Sequence, residues 1–238
     1  MTRFYYVLGV VAVIGVGIVA WSVGSQAMAT AATQPVDVPG LDNMTTLVKM
    51  AEGVTVGESS APITILEFAD YSCPACGQFA LTTKPQVEQQ YVKTGKAKLT
   101  YYDFPLTSIH PHSFLAARAA RCAGDQGKFW DYQNTLFRHQ AEWATKNSVN
   151  GDLRNFAEQT GLDVDAFESC LNSDAHADVV SANMRLGDEL GINATPTIMV
   201  GTGKGMPRII GGYDFRSVQA EVERLLQELN AANDPGGV

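Results

Sequence analysis

Positive charge is scarce in this chain. Set Arg3 aside from its 17 basic side chains and 16 remain against 25 acidic ones, a balance that disfavours a nucleic-acid partner. No glycine-rich phosphate loop, convincing Ser/His/Asp arrangement, internal repeat or long low-complexity tract occurs. Cysteines number only 4, and a second close pair is missing. A zinc ribbon requires one. Cys122 and Cys170 stand 48 positions apart, so a four-cysteine metal site needs an unusual arrangement.

Charge is absent altogether between Arg3 and Asp37. Within that gap residues 4–23 are apolar apart from glycines and Ser22, and such a run spans ~30 Å as a helix, the depth of a bilayer core. Arg3 precedes it and the next positive charge is Lys49, which puts the N-terminus in the cytoplasm and the remainder outside. Tyr5, Tyr6 and Trp21 sit near its ends, as interfacial aromatics do. Residues 1–24 therefore read as a transmembrane anchor. The alternative is a signal peptide cut after Ala29, since Ala27-Met28-Ala29 has the small-x-small form; the run is longer than the ~7–15 residues of a signal core. Either fate gives an extracytoplasmic domain (periplasm or cell-envelope exterior), and the anchor tethers it to the inner or plasma membrane. Cysteine use fits such an oxidising compartment. Residues 25–43, small and polar with Pro35 and Pro39, read as a linker.

Cys73-Pro74-Ala75-Cys76 carries the chemistry. The pair follows an apolar run and opens a helix-compatible segment, the pattern of a redox-active dithiol on a helix N-terminus. Unpaired amides and the helix dipole there favour a thiolate at Cys73, while Cys76, one turn further in, is shielded. Pro74 suits the first helical position. A purely structural disulfide is the blander reading, but so short a ring contributes little stability.

Residues 63–68 are short, β-branched and apolar and predict a buried strand; residues 98–102 predict another. Between them a helix runs from Pro74 to about Tyr91, kinked or divided at Pro85. From about Leu106 to Asp188 four or five helices are expected, on the spacing of Phe129, Tyr132 and Leu136, of Leu153, Phe156, Ala157 and Thr160, of Val164, Phe167 and Leu171, and of Val179, Ala182, Leu186 and Leu190. Strands return at 197–200 and 208–210 across a glycine-bearing connection, and Val218, Val222, Leu225, Leu226 and Leu229 mark a final amphipathic helix. This is an α/β layer (44–105 and 189–238) interrupted by a helical insertion (106–188).

The stretch Glu67-Phe68-Ala69-Asp70-Tyr71-Ser72-Cys73-Pro74-Ala75-Cys76, with Gly191-Ile192-Asn193-Ala194-Thr195-Pro196-Thr197 downstream, resembles the thioredoxin superfamily, and more narrowly the DsbA-like thiol–disulfide oxidoreductases. Gln126-Gly127-Lys128-Phe129-Trp130 is similar to that branch too. The resemblance implies a thioredoxin fold with a helical insertion and a cis bond before Pro196, which packs beside the dithiol. It implies no cofactor and no metal. Cys73 is expected to be the exchanging sulfur, with Cys76 resolving mixed disulfides. Thr195, Pro196, Pro74 and Ala75 are expected to meet an extended substrate. Glu67 matches the family's buried acid near the dithiol, expected to shuttle the Cys76 proton where burial raises its pKa, with a salt-bridged carboxylate as the competing reading. Ala75 stands where the best-known oxidases carry histidine, which argues for a higher Cys73 pKa than theirs. Cys122 and Cys170 are expected to form a structural disulfide, as some members have; two free thiols or a second redox centre are the alternatives.

The partners implied are reduced secreted polypeptides and a membrane quinone-linked thiol oxidase of the DsbB or vitamin K epoxide reductase type. A reductase or isomerase, and a non-catalytic holdase, remain alternatives. His110 and His112, flanking Pro111, read as solvent-facing histidines of a helix-start turn, since no third metal ligand of fitting spacing lies nearby; His139 and His176 have no sequence neighbours of that kind.

Overall fold

A computed structural model describes residues 33–233. The anchor read at 4–23 and the cleavage point after Ala29 lie outside the described residues. Among the described residues no helix is long and apolar enough to cross a membrane.

Strand β2 (Ile63–Ala69) is the centre of the molecule. Ile63, Ile65 and Phe68 are fully buried, each contributing about 1.5–3 kcal/mol by removal from water. Apolar residues on both faces suit a strand covered on both sides. It pairs in parallel with β3 (Ala97–Asp103) and antiparallel with β4 (Thr197–Thr202). Two short strands finish the edges, β1 (Val54–Val56) on β3 and β5 (Arg208–Ile209) on β4, both antiparallel, giving the order β1-β3-β2-β4-β5. The sheet is therefore mixed.

Helix α1 (Met44–Met50) precedes β1 and is capped by the Asn43 side chain on Thr46 N–H. Neither α1 nor β1 was expected, because seven and three residues carry too little periodicity. Helix α2 (residues 74–92) links β2 to β3 and is not divided at Pro85. Wide, π-type turns over Phe79–Thr83 and Glu88–Val92 interrupt it, and Lys84 N–H reaches back to Phe79 O. The ladder is thus already opened where Pro85 removes a donor, and the helix runs on.

Between β3 and β4 come six helical segments rather than four or five: α3 (Ser113–Asp125), α4 (Phe129–Arg138), the single turn α5 (Gln140–Trp143), α6 (Asn150–Gln159), α7 (Val164–Asn172) and α8 (Ala177–Glu189). The extra one is α5, which plants Trp143 in the core with its Nε1 donating to Leu136 O. Helix α8 buries Val180, Ala182 and Asn183 more deeply than Val179 or Leu190. After β5, α9 (Phe215–Asn233) closes the sheet with Val218 and Val222. Residues 35–38 do not hang free as a linker: Val36 N–H donates to Ser181 Oγ at 3.0 Å and Val38 is buried.

Candidate active site

The dithiol stands where β2 turns into α2. Cys73 is the N-cap, in extended conformation, with Pro74 in the first helical turn. Both cysteines are free thiols; Cys73 is 9% exposed and Cys76 fully buried. Pro74 is exposed and Ala75 half-buried at the mouth. Across from them the Thr195–Pro196 bond is cis, and Thr195 O lies 3.3 Å from Cys73 Sγ. The loop before β4 is thus laid against the outer sulfur.

The Cys73 thiol is lowered from its ordinary value of 9.0 to about 5. The largest cause is a hydrogen bond from the Cys76 thiol; burial opposes it, and Thr195 and the amides of Cys76 and Ala75 add to it. The helix-end amides anticipated from sequence thus contribute after a neighbouring side chain. Cys76 moves the other way, raised by burial first and then by Cys73. The two thiols are chemically distinct: an ionised outer one and a protonated inner one.

Thr195 Oγ1 is buried and without a hydrogen-bond partner, so its hydroxyl is available to a Cys73 thiolate. In Thr195→Val, titration of the 240 nm thiolate absorbance is expected to shift up by about one pH unit, the order expected for losing one hydrogen bond to a charge. An unchanged midpoint rules the hydroxyl out.

Glu67 lies mid-strand, opposite Tyr101 on β3 and Ile198 on β4, with neither carboxylate oxygen hydrogen-bonded. Burial pushes it up to about 8, against the pull of Lys84. It is not a bridged carboxylate at a strand edge. The ionisable groups it responds to are Lys84 and Glu88 rather than the cysteines. Lys84 was missed from sequence, where a lysine in a helix reads as solvated. It is buried, donates to Gln133 Oε1 at 2.7 Å and Asn134 Oδ1 at 3.0 Å, and sits 4.8 Å over the Trp130 ring. Burial lowers its pKa.

Gln140 was missed too. Its Nε2 donates to Tyr71 O at 2.7 Å and Cys73 O at 2.9 Å, pinning the dithiol turn to the helical block. Gly77 makes room for it, since a Cβ there would lie 2.9 Å from Gln140 Oε1.

His110 is not the solvent-facing residue expected. Its Nδ1 lies 2.9 Å from Asp70 Oδ2, and its side chain is 21% exposed. His112, half-buried, contacts Lys146 O. His139 pairs with Glu142, and His176 with Asp125. Cys122 and Cys170 are bonded, joining α3 to α7. His176 brings a nitrogen within 4.8 Å of both sulfurs, but the disulfide occupies those sulfurs as metal ligands.

A mixed sheet, a dithiol capping the helix after its central strand, and a cis-proline loop facing the outer sulfur define the thioredoxin class of dithiol protein. The chain belongs to the thioredoxin family: the family model described as thioredoxin matches residues 49–206. Over 166 residues it is 32% identical to "Na(+)/H(+) antiporter NhaA 3" of Salinispora tropica, covering 70% of this chain but 24% of that relative. The chain thus spans about a quarter of the length of the antiporters it matches. It is 24% identical to "Probable disulfide bond formation protein D" of Bacillus cereus, across 73% of this chain and 79% of that one. Oxidised BdbD from Bacillus subtilis superposes with a TM-score of 0.66 at 25% identity, covering 76% of this chain and 95% of BdbD. Wolbachia pipientis alpha-DsbA1 shares the fold, with a TM-score of 0.68 at 22% identity over 83% of this chain and 96% of its own.

Proposed function

We propose that the chain is an exported thiol–disulfide oxidoreductase that forms disulfides in secreted polypeptides through Cys73 and Cys76. The observation that carries this reading is the geometry of the pair: Cys73 caps the helix with Thr195 O 3.3 Å from its sulfur across the cis Thr195–Pro196 loop, and Cys76 is buried behind it, an arrangement that lowers the first thiol and raises the second. A substrate thiolate attacks Cys73 of the Cys73–Cys76 disulfide, forming a mixed disulfide and releasing Cys76. A second substrate thiolate then attacks the substrate sulfur of that bond and expels Cys73. The substrate loses two electrons and the enzyme dithiol gains them. Cys73 leaves easily because its anion is stable, and the same stability favours the reduced enzyme. Thr195 and Pro196 supply the backbone edge for an extended substrate, Pro196 having no N–H of its own to satisfy. Pro74 and Ala75 form the near wall.

In this reading residues 44–105 and 189–238 are the thioredoxin-like unit and 106–188 its helical insertion. Residues 4–23 hold it to the membrane with a cytoplasmic N-terminus. A membrane quinone-linked thiol oxidase, of the DsbB or vitamin K epoxide reductase type, returns it to the disulfide.

The test is the reduction potential of the couple, measured with oxidation of a reduced dicysteine peptide. The expected value lies nearer about −120 mV than about −270 mV. A value at the lower end with slow peptide oxidation replaces the oxidase by a reductase or isomerase. The sign with pH follows from the depressed thiol. The stability that the Cys73 thiolate adds to the reduced form is complete above the ordinary thiol value of 9.0 and is lost as pH falls through about 5. Acidification therefore weakens the oxidant.

A further inference from the structure

Asp70 is buried and three residues before Cys73, and its carboxylate gathers donors from well-separated parts of the chain. Oδ1 accepts from Ser72 N at 2.6 Å and from Ser113 Oγ at 2.5 Å. Oδ2 accepts from Leu106 N at 2.7 Å and faces His110 Nδ1 at 2.9 Å. A carboxylate only accepts, so His110 Nδ1 carries the hydrogen. The dithiol turn, the β3–α3 loop and the start of α3 therefore converge on one side chain.

The backbone of the same residue touches both cysteines. Asp70 O accepts from Cys73 N at 3.1 Å, and Asp70 N–H donates to Cys76 Sγ at 3.4 Å. This amide is a backbone donor to the inner sulfur, on which the Thr195 side chain also acts. Cys76 must carry negative charge to attack, yet it belongs to a large buried cluster, Tyr71, Ala80, Tyr101 and Phe129 among its members, where burial disfavours an anion. Glu67, the acid suggested by sequence, makes no hydrogen bond to that sulfur.

We propose that Asp70 is the positioning residue for the resolving sulfur: its four-donor carboxylate holds its own peptide N–H on Cys76 Sγ, where the amide meets the charge that develops as Cys76 attacks. This rests on the oxidoreductase reading above. In the step assisted, the Cys76 thiol gives up its proton and the thiolate attacks Cys73 of a mixed disulfide. The Cys73–Cys76 bond forms, the bond from Cys73 to the substrate sulfur breaks, and the departing substrate thiolate takes up a proton. Asp70 touches no reacting bond, and its side chain acts through the amide.

The experiment uses the oxidised full chain and a fluorescent peptide with a single cysteine, with acid quenching to separate two rate constants. One is attack of the peptide on Cys73; the other is escape, in which Cys76 expels the peptide. In Asp70→Asn escape is expected to slow about tenfold, the scale of a hydrogen bond to a charged group, while attack stays within about twofold. Ser113→Ala and His110→Ala each remove one donor and are expected to slow escape alone, by about two- to threefold. They decide the matter if Asp70→Asn does not fold. Unchanged escape, or attack and escape falling by the same factor, overturns the proposal. Failure of the unaltered protein to form any peptide adduct overturns instead the function on which it rests, and the proposal falls with it.

Discussion

Serine at position 73 is expected to reduce peptide oxidation by more than about a thousandfold, to the level of the uncatalysed reaction, because a hydroxyl neither ionises near neutrality nor forms a disulfide. The contrast with position 76 makes the experiment specific. Cys73 is the outer member of the pair, with its pKa lowered; Cys76 is fully buried, with its pKa raised. Cys76→Ser loaded at Cys73 with thionitrobenzoate as a mixed disulfide should exchange that group for a client sulfur, releasing the thionitrobenzoate thiolate, yet lack the thiol that frees the client. Covalent adducts should therefore accumulate in Cys76→Ser and be absent from Cys73→Ser, as non-reducing electrophoresis with a reduced client will show. Residual oxidation by Cys73→Ser, or adducts in equal amount in both variants, would contradict the assignment of sulfurs. A holdase with structural cysteines would tolerate both changes.

Loss of the Cys122–Cys170 bond should carry the largest cost in stability. It closes a loop with a sequence separation of 48, for which the chain-entropy argument gives about 4 kcal/mol. Cys122 is buried among the apolar residues of α3, so alanine there also removes packing. Denaturant midpoints of the oxidised Cys122→Ala/Cys170→Ala protein, compared with the parent, measure this directly. The 240 nm titration of Cys73 should not move, since the bond joins α3 to α7 rather than touching the dithiol. A midpoint unchanged within error would mean the bond constrains little; a moved titration would mean the two cysteine pairs communicate.

What could be read from sequence was local. The β-branched run at 63–68, the four residues 73–76 and the Thr-Pro-Thr at 195–197 each announce themselves within a few positions. The bonded pair of cysteines followed from compartment and count. The supports of the dithiol lie elsewhere in the chain. Gln140 meets Tyr71 across 69 positions, and His110 meets Asp70 across 40. No periodicity marks such pairs, and a lone glutamine or histidine at a helix start looks solvated until the chain folds back. Lys84 escaped notice for the same reason. Strand β1 was invisible because three residues exist as a strand only through their partners on β3. Pro85 misled differently: the rule that proline breaks helices assumes an ordinary ladder, and here the turn before it is wide.

The docking of Val36 on Ser181 sets a reach. On the proposed attachment through residues 4–23, the twelve positions 24–35 amount to at most about 40 Å of contour. That limit would keep the domain close to the lipid surface, meeting clients as they emerge from it rather than in the bulk beyond.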